Sequence, residues 1–293
     1  MLLFAQLVNG LQLGSIYALI ALGYSMVYGI IKLLNFAHGD VIMVGGYISL
    51  MIIATGTHPM VAVVMAVVGC ALLAVMIYRL AYVPQGPTAP RLSLLIAAIG
   101  VSMLLQNLAQ LIFSANIHSF PANDIIPMVI YSVGGVNISL ASIMTIVSAV
   151  SSMAGLTLLV HKTKTGQAML AVSEDTGAAQ LMGVNVRSIV TFTFAIGAGL
   201  AGIGSILYCV RFPIVSPMMG ALPGLKAFVA AVLGGIGSIP GAMIGGFAIG
   251  LFEALVNSAG LSTWTDGIVF AILIVVLLVR PTGFMGPSMA EKV

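Results

Sequence analysis

Long uninterrupted runs of apolar residues, separated by short polar stretches, dominate the chain. The runs are continuous rather than alternating, as in Val61–Ile77 and Ile268–Val279. A helix crosses a bilayer with roughly 20 mostly apolar residues, whereas the strands of a membrane barrel alternate apolar and polar positions. The pattern predicts apolar helices at Leu3–Ile30, Val41–Ala54, Met60–Tyr78, Leu92–Phe113, Ile138–Val160, Ile189–Val210, Leu222–Ile236, Gly241–Val256 and Gly267–Val279.

The number of crossings depends on Leu222–Ile236, which is short and rich in glycine, as is typical of a half-helix or a re-entrant element. Nine crossings result if this segment and Gly241–Val256 both cross, and seven if the two form a re-entrant hairpin. We therefore predict an all-α polytopic membrane protein, a bundle of about eight transmembrane helices with interrupted or re-entrant segments. The transmembrane domain is predicted to be single and to cover residues 1–293.

Two glycine-rich breaks, Asn35–Asp40 and Gly234–Gly241, separate apolar segments without enough polar residues to form a solvated loop. Interrupted helices at matching places in two halves of a transporter indicate a transport pathway. The two breaks are predicted to be such a pair.

Composition supports the membrane assignment and excludes a water-soluble fold. Only 6% of the residues are charged, 60% are hydrophobic, and the mean hydropathy is +1.20, whereas soluble domains are about 25% charged. The net charge of +3 is spread along the chain, which excludes a nucleic-acid partner. Both cysteines, Cys70 and Cys209, fall in apolar segments, so we interpret them as packing residues and not as a disulfide or metal site. The first apolar stretch precedes any basic residue and is predicted to be a retained span.

Basic residues predict the orientation, because cytoplasmic loops are enriched in lysine and arginine. The stretch from Phe113 to Ile138 contains Asp124 and no lysine or arginine, as an outside loop requires. We therefore predict an inner-membrane protein with its N-terminus outside and its C-terminus in the cytoplasm. Arg211 and Lys226 are exceptions, since they fall on or near the outer side. The residues predicted to mark the inner side are Lys32, Arg79, Arg91, His161, Lys162, Lys164, Arg187, Arg280 and Lys292.

Three glycine pairs have the spacing that lets helix backbones approach closely in lipid. They are Gly10 with Gly14, Gly241 with Gly245, and Gly246 with Gly250. Close packing within one chain is the favoured interpretation, and dimerisation through these faces is the alternative.

The polar stretch His161–Arg187 interrupts the apolar runs and contains a predicted short helix. Ser173 can cap this helix, and the acidic residues Glu174 and Asp175 then fall in its first turn, where the helix dipole favours them. Ala178, Leu181 and Met182 share one helical face, and Gly183 is placed to end the helix. The segment is either an amphipathic interfacial helix or a docking face for a soluble partner.

This loop resembles a known family. Gly177-Ala178-Ala179-x-x-x-Gly183 is similar to the EAA loop of ABC importer permeases, whose pattern is Glu-Ala-Ala, three residues, Gly. Gly177 replaces the glutamate and no Leu-Pro follows, as in the branch that contains branched-chain amino acid (LivH-type) and ribose-type permeases. The stretches that resemble the LivH type are Asn9–Tyr24, Asn35–Gly39, Ile99–Asn107, Gly224–Ser238 and Arg280–Gly283.

The resemblance implies a permease subunit that imports leucine, isoleucine or valine. It implies a second homologous (LivM-type) permease with the pathway between the two, two cytoplasmic ATP-binding (LivG/LivF-type) subunits, and an external amino-acid-binding protein. Residues 161–188 would form the cytoplasmic coupling loop. ATP would be bound by the partners, so this chain needs no cofactor. The residues implied to couple to the ATP-binding subunit are Ser173, Glu174, Asp175, Gly177, Ala178, Ala179, Leu181, Met182 and Gly183.

Enzyme signatures are missing from the sequence. Gly234–Ser238 could be mistaken for a phosphate loop, but it lacks the Gly-Lys-Ser/Thr triplet, which occurs nowhere in the chain. The sequence also contains no His-Glu-x-x-His and no Gly-x-Ser-x-Gly. We therefore predict that the chain is not an enzyme and that the motor is a separate polypeptide.

Polar side chains inside spans are costly, so they are candidate pathway residues. Each could instead only bond neighbouring helices, and for Glu253 a structural bond near the outer interface is the favoured interpretation. One rival function is an ion-coupled secondary transporter with Glu253 or Asp40 as proton carrier. Another is a permease of the same branch for an amide, urea or a sugar. The candidate pathway residues are Asn9, Gln12, Tyr17, Asn35, His38, Gln106, Asn107, Glu253 and Asn257.

Overall fold

The computed structural model describes residues 2–32, 35–86, 89–133, 136–280 and 282–286. Pro281 in the family-like ending and Lys292, used to place the C-terminal tail, lie outside these ranges. The described α-helices are α1 Leu2–Ile31, α2 His38–Ala54, α3 Pro59–Ile77, α4 Arg91–Phe113, α5 Ala122–Ile125, α6 Leu140–Lys162, α7 Lys164–Glu174, α8 Thr176–Leu181, α9 Val186–Arg211, α10 Ala221–Gly234, α11 Ile239–Ser258 and α12 Thr265–Val279.

The all-α membrane prediction is confirmed. Within the described ranges, seven helices are long and apolar enough to cross a membrane: α1, α4, α6, α9, α11, α3 extended by π and 3-10 turns to Gln85, and α12 with the 3-10 turn that precedes it. The helices α2 and α10 are apolar but shorter. At 14 residues, α10 is about 21 Å long, against a hydrocarbon core of about 30 Å. Helix α11 has the length of a full span. The structure therefore favours the interpretation in which α10 is a half-helix and α11 crosses the membrane, and not the one in which the two form a re-entrant hairpin.

Short strands, which the apolar pattern did not predict, close one end of the bundle. In the connection between α4 and α6, β2 (Ile130–Val133) pairs antiparallel with β3 (Val136–Ser139). In the same connection, β1 (His118–Ser119) pairs with β4 (Ile214–Val215), which follows α9. The β1–β4 pair brings the α4–α6 and α9–α10 connections to the same end of the bundle.

Helix α1 is the centre of the fold. It packs against α6, α9, α10 and α11, and its residues from Ile16 to Leu22 are almost completely buried. Its contact with α11 is made through glycines: a Cβ on Gly14 would lie 2.8 Å from Phe247 Cα, and one on Gly246 would lie 2.5 Å from Ala18 Cα. The prediction that these glycine pairs pack within one chain is confirmed.

The first predicted break is confirmed, and its polar residues hold the chain between α1 and α2. Asn35 Oδ1 accepts hydrogen bonds from the backbone N–H of Ala37 at 3.2 Å and from the Tyr82 hydroxyl at 3.1 Å. These bonds satisfy backbone and side-chain groups that would otherwise be unpaired in a buried position.

The second predicted break separates α10 from α11 as expected, but it is not the counterpart of the first break. Gly234–Ser238 is a tight turn between α10 and α11, in which Gly235 and Gly237 have φ values of 105° and 95° that only glycine adopts readily. The structural counterpart of the first break is the start of α10. There Gly39 of α2 meets Gly220, so closely that a Cβ on Gly39 would lie 2.8 Å from the Gly220 carbonyl oxygen. The N-terminal ends of two short helices therefore meet inside the bundle.

Contacts along α1 distinguish the two ends of the bundle. Ser25, near the end of α1, accepts a hydrogen bond of 2.9 Å from the backbone N–H of Gly237 in the α10–α11 turn. The described tail reaches the same region, because the Phe284 N–H donates to the Leu233 carbonyl oxygen at 2.9 Å. The start of α1 and this tail therefore lie at opposite ends of the bundle.

The polar loop lies at the same end as this tail. Helix α6 begins beside the start of α1, where the Ser142 hydroxyl donates to Gln12 Oε1 at 2.8 Å. It then runs for 23 residues before the loop begins. The loop helix α7 packs back onto α1, α6 and α9.

Candidate functional site

Three charged side chains from three helices meet inside the bundle. Lys226 of α10 places its Nζ 2.5 Å from Glu253 Oε1 on α11 and 2.6 Å from Asp266 Oδ1 on α12. Glu253 Oε2 accepts a hydrogen bond of 3.0 Å from the Tyr17 hydroxyl on α1. Lys226 and Glu253 are only 9% and 2% exposed. Burial of a single charge would be very costly, so the buried Lys226 and Glu253 are stable only as an ion pair.

These charges line a cavity of about 260 Å³ between α1, α9, α10, α11 and α12. Asn257 also faces it and accepts a hydrogen bond of 2.9 Å from the Thr265 hydroxyl. Polar groups and hydrophobic side chains share the cavity wall, a composition typical of small-molecule sites. The lining residues are Leu13, Tyr17, Tyr208, Phe212, Leu222, Pro223, Lys226, Glu253, Asn257, Ser262, Thr265 and Asp266.

Replacing Tyr17 with phenylalanine tests how firmly the cluster is held. The substitution removes one hydrogen bond to a buried carboxylate and keeps the ring. Charge-assisted hydrogen bonds contribute about 1.5–3 kcal/mol in proteins, while interhelical bonds in membranes average about 0.6 kcal/mol. We expect a loss of about 1–2 kcal/mol, measured as the free energy of unfolding in mixed micelles. Tyr208→Phe is the control, because it also faces the cavity without a hydrogen bond to Glu253.

A second cavity, of about 210 Å³, lies on the other side of α10. Its main polar group is Asp40, which is buried in the first turn of α2 and accepts a hydrogen bond of 2.9 Å from Gln106 Nε2 of α4. The rest of the wall is largely apolar and includes Phe36, Leu225 and Phe228. The adjoining N-terminal ends of α2 and α10 favour a negative charge here, because helix N-termini carry partial positive charge.

The predicted pathway residues are divided between the two cavities and the helix contacts. Tyr17, Glu253 and Asn257 line the first cavity, and Gln106 lines the second. The structural interpretation of Glu253 and the pathway interpretation are compatible, since Glu253 bonds two helices and also faces a cavity.

The remaining predicted pathway residues face neither of these two cavities. Gln12 bonds α1 to α6, and Asn35 holds the first break. His38 is buried with its ring against Tyr24, the two ring centroids being 4.5 Å apart. Asn9 and Asn107 lie on exposed helix faces.

Sequence reasoning missed Lys226 and Asp266 as site residues. In the sequence, Lys226 is an exception to the charge pattern that predicts the orientation. A lysine inside an apolar segment needs an acidic partner, so it is itself evidence of a functional site. Asp266 gave a weaker signal, as one acidic residue near the start of an apolar helix. Their proximity comes from the packing of α10 beside α11 and α12.

The polar loop forms two helices, α7 and α8, and the predicted cap at Ser173 is wrong. Ser173 and Glu174 belong to the last turn of α7, where the Ser173 hydroxyl donates to the Leu170 carbonyl oxygen at 2.7 Å. The cap of α8 is Asp175, whose Oδ1 accepts from the N–H groups of Gly177 at 2.8 Å and Ala178 at 3.0 Å. Helix α7 continues this far because Met169 and Val172 are buried beneath it.

The predicted end of the loop helix is confirmed. Gly183 has a φ of 84°, and the N–H of Val184 donates to the Ala179 carbonyl oxygen at 3.0 Å. A left-handed glycine with this back-bond is a common way to end a helix.

The predicted apolar face of the loop helix is exposed. Leu181 and Met182 are 90% and 85% exposed, and Ala178 beside them is also exposed. Ala179 points the other way and is buried. The exposed leucine and methionine form an apolar patch at this end of the bundle; we call Ala178, Leu181 and Met182 the loop-helix face.

Comparison with known proteins identifies the family. Residues 6–278 match the family described as the branched-chain amino acid transport system / permease component. The chain belongs to this family. The chain is therefore a multi-pass membrane permease component.

Named relatives match over nearly the full length. The chain is 42% identical to the high-affinity branched-chain amino acid transport system permease protein LivH of Escherichia coli, over 98% of this chain and 97% of the relative. It is 41% identical, with the same coverage, to the corresponding permease protein BraD of Pseudomonas aeruginosa. Among solved structures, PsaBC from Streptococcus pneumoniae has a TM-score of 0.50 at 12% identity, covering 97% of this chain and 92% of that chain. This last likeness concerns the fold alone.

Proposed function

We propose that this chain is the transmembrane permease subunit of an ABC importer for leucine, isoleucine and valine, driven by ATP hydrolysis on separate subunits. The observation that carries the proposal is the 42% identity over 98% of the chain to a permease protein named for high-affinity branched-chain amino acid transport. Residues 1–293 act as one permease domain, and residues 161–188 form its coupling loop.

The proposed assembly pairs the chain with a second homologous permease of the LivM type. The exposed apolar surfaces of α4 and α12 support this, since each needs lipid or another helix to cover it. Two ATP-binding subunits of the LivG and LivF types bind the loop-helix face, and an external binding protein delivers the amino acid. Exposure of Leu181 and Met182 supports the docking step.

Uptake of radiolabelled leucine tests the proposed function. A strain that lacks its own branched-chain amino acid permeases should regain uptake when this chain is expressed with its partner subunits. Unlabelled isoleucine and valine should compete, whereas an amide, urea or a sugar should not. Omitting the ATP-binding subunits is the control: uptake that persists without them and follows a proton gradient would instead establish the ion-coupled alternative.

We also propose that the loop-helix face lies in the cytoplasm, with the N-terminus outside. In the chain expressed without the ATP-binding subunits that would cover this face, cysteine at Met182 should then resist a membrane-impermeant maleimide in intact cells and react after permeabilisation. Cysteine at Met128, which is 78% exposed beside the strand pair at the opposite end of the bundle, should react in both. Labelling with the reverse pattern would invert the orientation.

A further inference from the structure

The charges around the first cavity do not balance. Lys226 carries one positive charge, while Glu253 and Asp266 carry one negative charge each. Both oxygens of Glu253 have partners, Lys226 and the Tyr17 hydroxyl. Among the described residues, Asp266 pairs with Lys226 alone, and its side chain is 49% exposed beside the cavity. The cluster therefore presents one unbalanced negative charge at its accessible edge, and a cationic group would neutralise it.

Lys226 can also donate a further hydrogen bond. An ammonium carries three N–H donors, and two carboxylate oxygens, one each from Glu253 and Asp266, lie within ion-pair distance of it. A third donor is available to an anionic group that enters beside Asp266. The Asp266 carboxylate, which can bind a cationic group, and the Lys226 ammonium, which can bind an anionic group, thus lie next to each other on the cavity wall.

Part of the cavity wall is apolar. Leu13, Phe212 and Leu222 line it, together with the ring of Tyr208. The cavity, about 260 Å³, falls just below the range of about 300–1,000 Å³ that is usual for ligand pockets, so it suits a small ligand. The charged edge and the apolar wall call for a molecule with a zwitterionic head and a short aliphatic tail.

We infer that this cavity binds the transported α-amino acid, with Asp266 accepting the ammonium, Lys226 donating to the carboxylate and the apolar wall receiving the side chain. The choice of leucine as ligand rests on the proposed function. Glu253 and Tyr17 are positioning residues, because they fix the Lys226 ammonium and are already fully paired. The site lies toward the end of the bundle where α1 begins.

The inference can be tested in the complete transporter, reconstituted in nanodiscs without the binding protein. Cysteine at Leu222, which is 53% exposed at the cavity, reports ligand by protection from a maleimide. The native Cys70 and Cys209 are fully buried and give little background. Ser262→Cys is a second reporter should Leu222→Cys fail to assemble.

Leucine should slow the labelling. Leucine amide, which lacks the carboxylate, and 4-methylpentanoate, which lacks the ammonium, should protect poorly. Asp266→Asn removes a charge-assisted contact and should raise the leucine concentration needed for protection about tenfold. Asp124→Asn, the same chemical change in an exposed carboxylate of the α4–α6 connection, should leave it unchanged.

The outcomes separate this site from the proposed function. No protection by leucine in a transporter that imports leucine would overturn the site alone, as would equal protection by leucine amide or by sodium, which would reveal a simple cation site. Protection by leucine in a chain that imports none would uphold the site and refute the proposed function. Absence of both protection and uptake would refute both.

Discussion

Replacing Leu181 with glutamate is expected to abolish leucine uptake while the chain remains folded in the membrane. The side chain is 90% exposed and has little contact with the described part of the chain, so folding loses little. If the loop-helix face enters a groove on an ATP-binding subunit, the substitution buries a charge in an apolar contact. A hot-spot residue at the centre of an interface contributes about 2 kcal/mol or more, so binding of the ATP-binding subunit should weaken at least about tenfold and uptake should be lost.

The matched control is Gln180→Glu, one position earlier on the same helix. It adds the same charge at an exposed position outside the loop-helix face, so uptake should stay near the native rate. Two measurements accompany uptake: the amount of chain in the membrane, and co-purification of the ATP-binding subunit. Normal uptake by the Leu181 variant, or an equal loss in both variants, would show that this face is not the docking surface.

The route from this face into the membrane is short. Ala179, on the opposite side of α8, is buried, and α8 contacts α9. The preceding helix α7 buries Met169 and Val172 and packs onto α1, α6 and α9. Because close-packed interiors transmit strain, a displacement of α8 would move α9 and α1, the helices that carry Tyr208 and Tyr17 at the first cavity.

The features that could be predicted from the sequence are those that depend on neighbouring residues. Apolar runs placed the spans because a helix in lipid needs a continuous hydrophobic length. Gly183 ended the loop helix as expected, because few other residues adopt its φ of 84° readily. The loop-helix face followed from the i, i+3, i+4 spacing of Ala178, Leu181 and Met182.

What could not be predicted depends on contacts between distant parts of the chain. Ser173 and Asp175 are both good helix caps, and burial of Met169 and Val172 by other helices decided that α7 continues to Glu174. The second interruption was missed because α10 begins after Gly220 without a glycine-rich run, whereas the glycines of the α10–α11 turn serve a different need.

The residues that meet at the first cavity could not be predicted from the sequence for the same reason. Tyr17, Lys226, Glu253 and Asp266 are far apart in sequence, and no periodicity relates them. Charge inside an apolar segment signals that a partner exists but does not say which one. The partner follows only from the packing of α10 between α1, α11 and α12.

The packing of α11 against α1 depends on glycine, and replacing Gly250 with valine is expected to prevent it. A Cβ at Gly250 would collide with the backbone of Gly14 and with the carbonyl oxygen of Gly10. Backbone cannot move aside as a flexible side chain can, so α1 and α11 would have to separate. Overpacking typically costs about 1–3 kcal/mol, and a collision with backbone should reach at least about 3 kcal/mol.

Gly100→Val is the matched control, because a Cβ at Gly100 on α4 meets no atom within 4 Å. Both variants lose a glycine and gain a branched residue in an apolar helix, so they differ only in what the new side chain meets. Unfolding in mixed micelles should show a large loss of stability for the Gly250 variant and little for the Gly100 variant. Equal stability of the two would mean that α1 and α11 do not pack through these glycines. A Gly250 variant that stays folded but no longer binds its partner permease would instead show that the glycine face serves dimerisation. The Lys226 cluster would then not depend on the contact between α1 and α11.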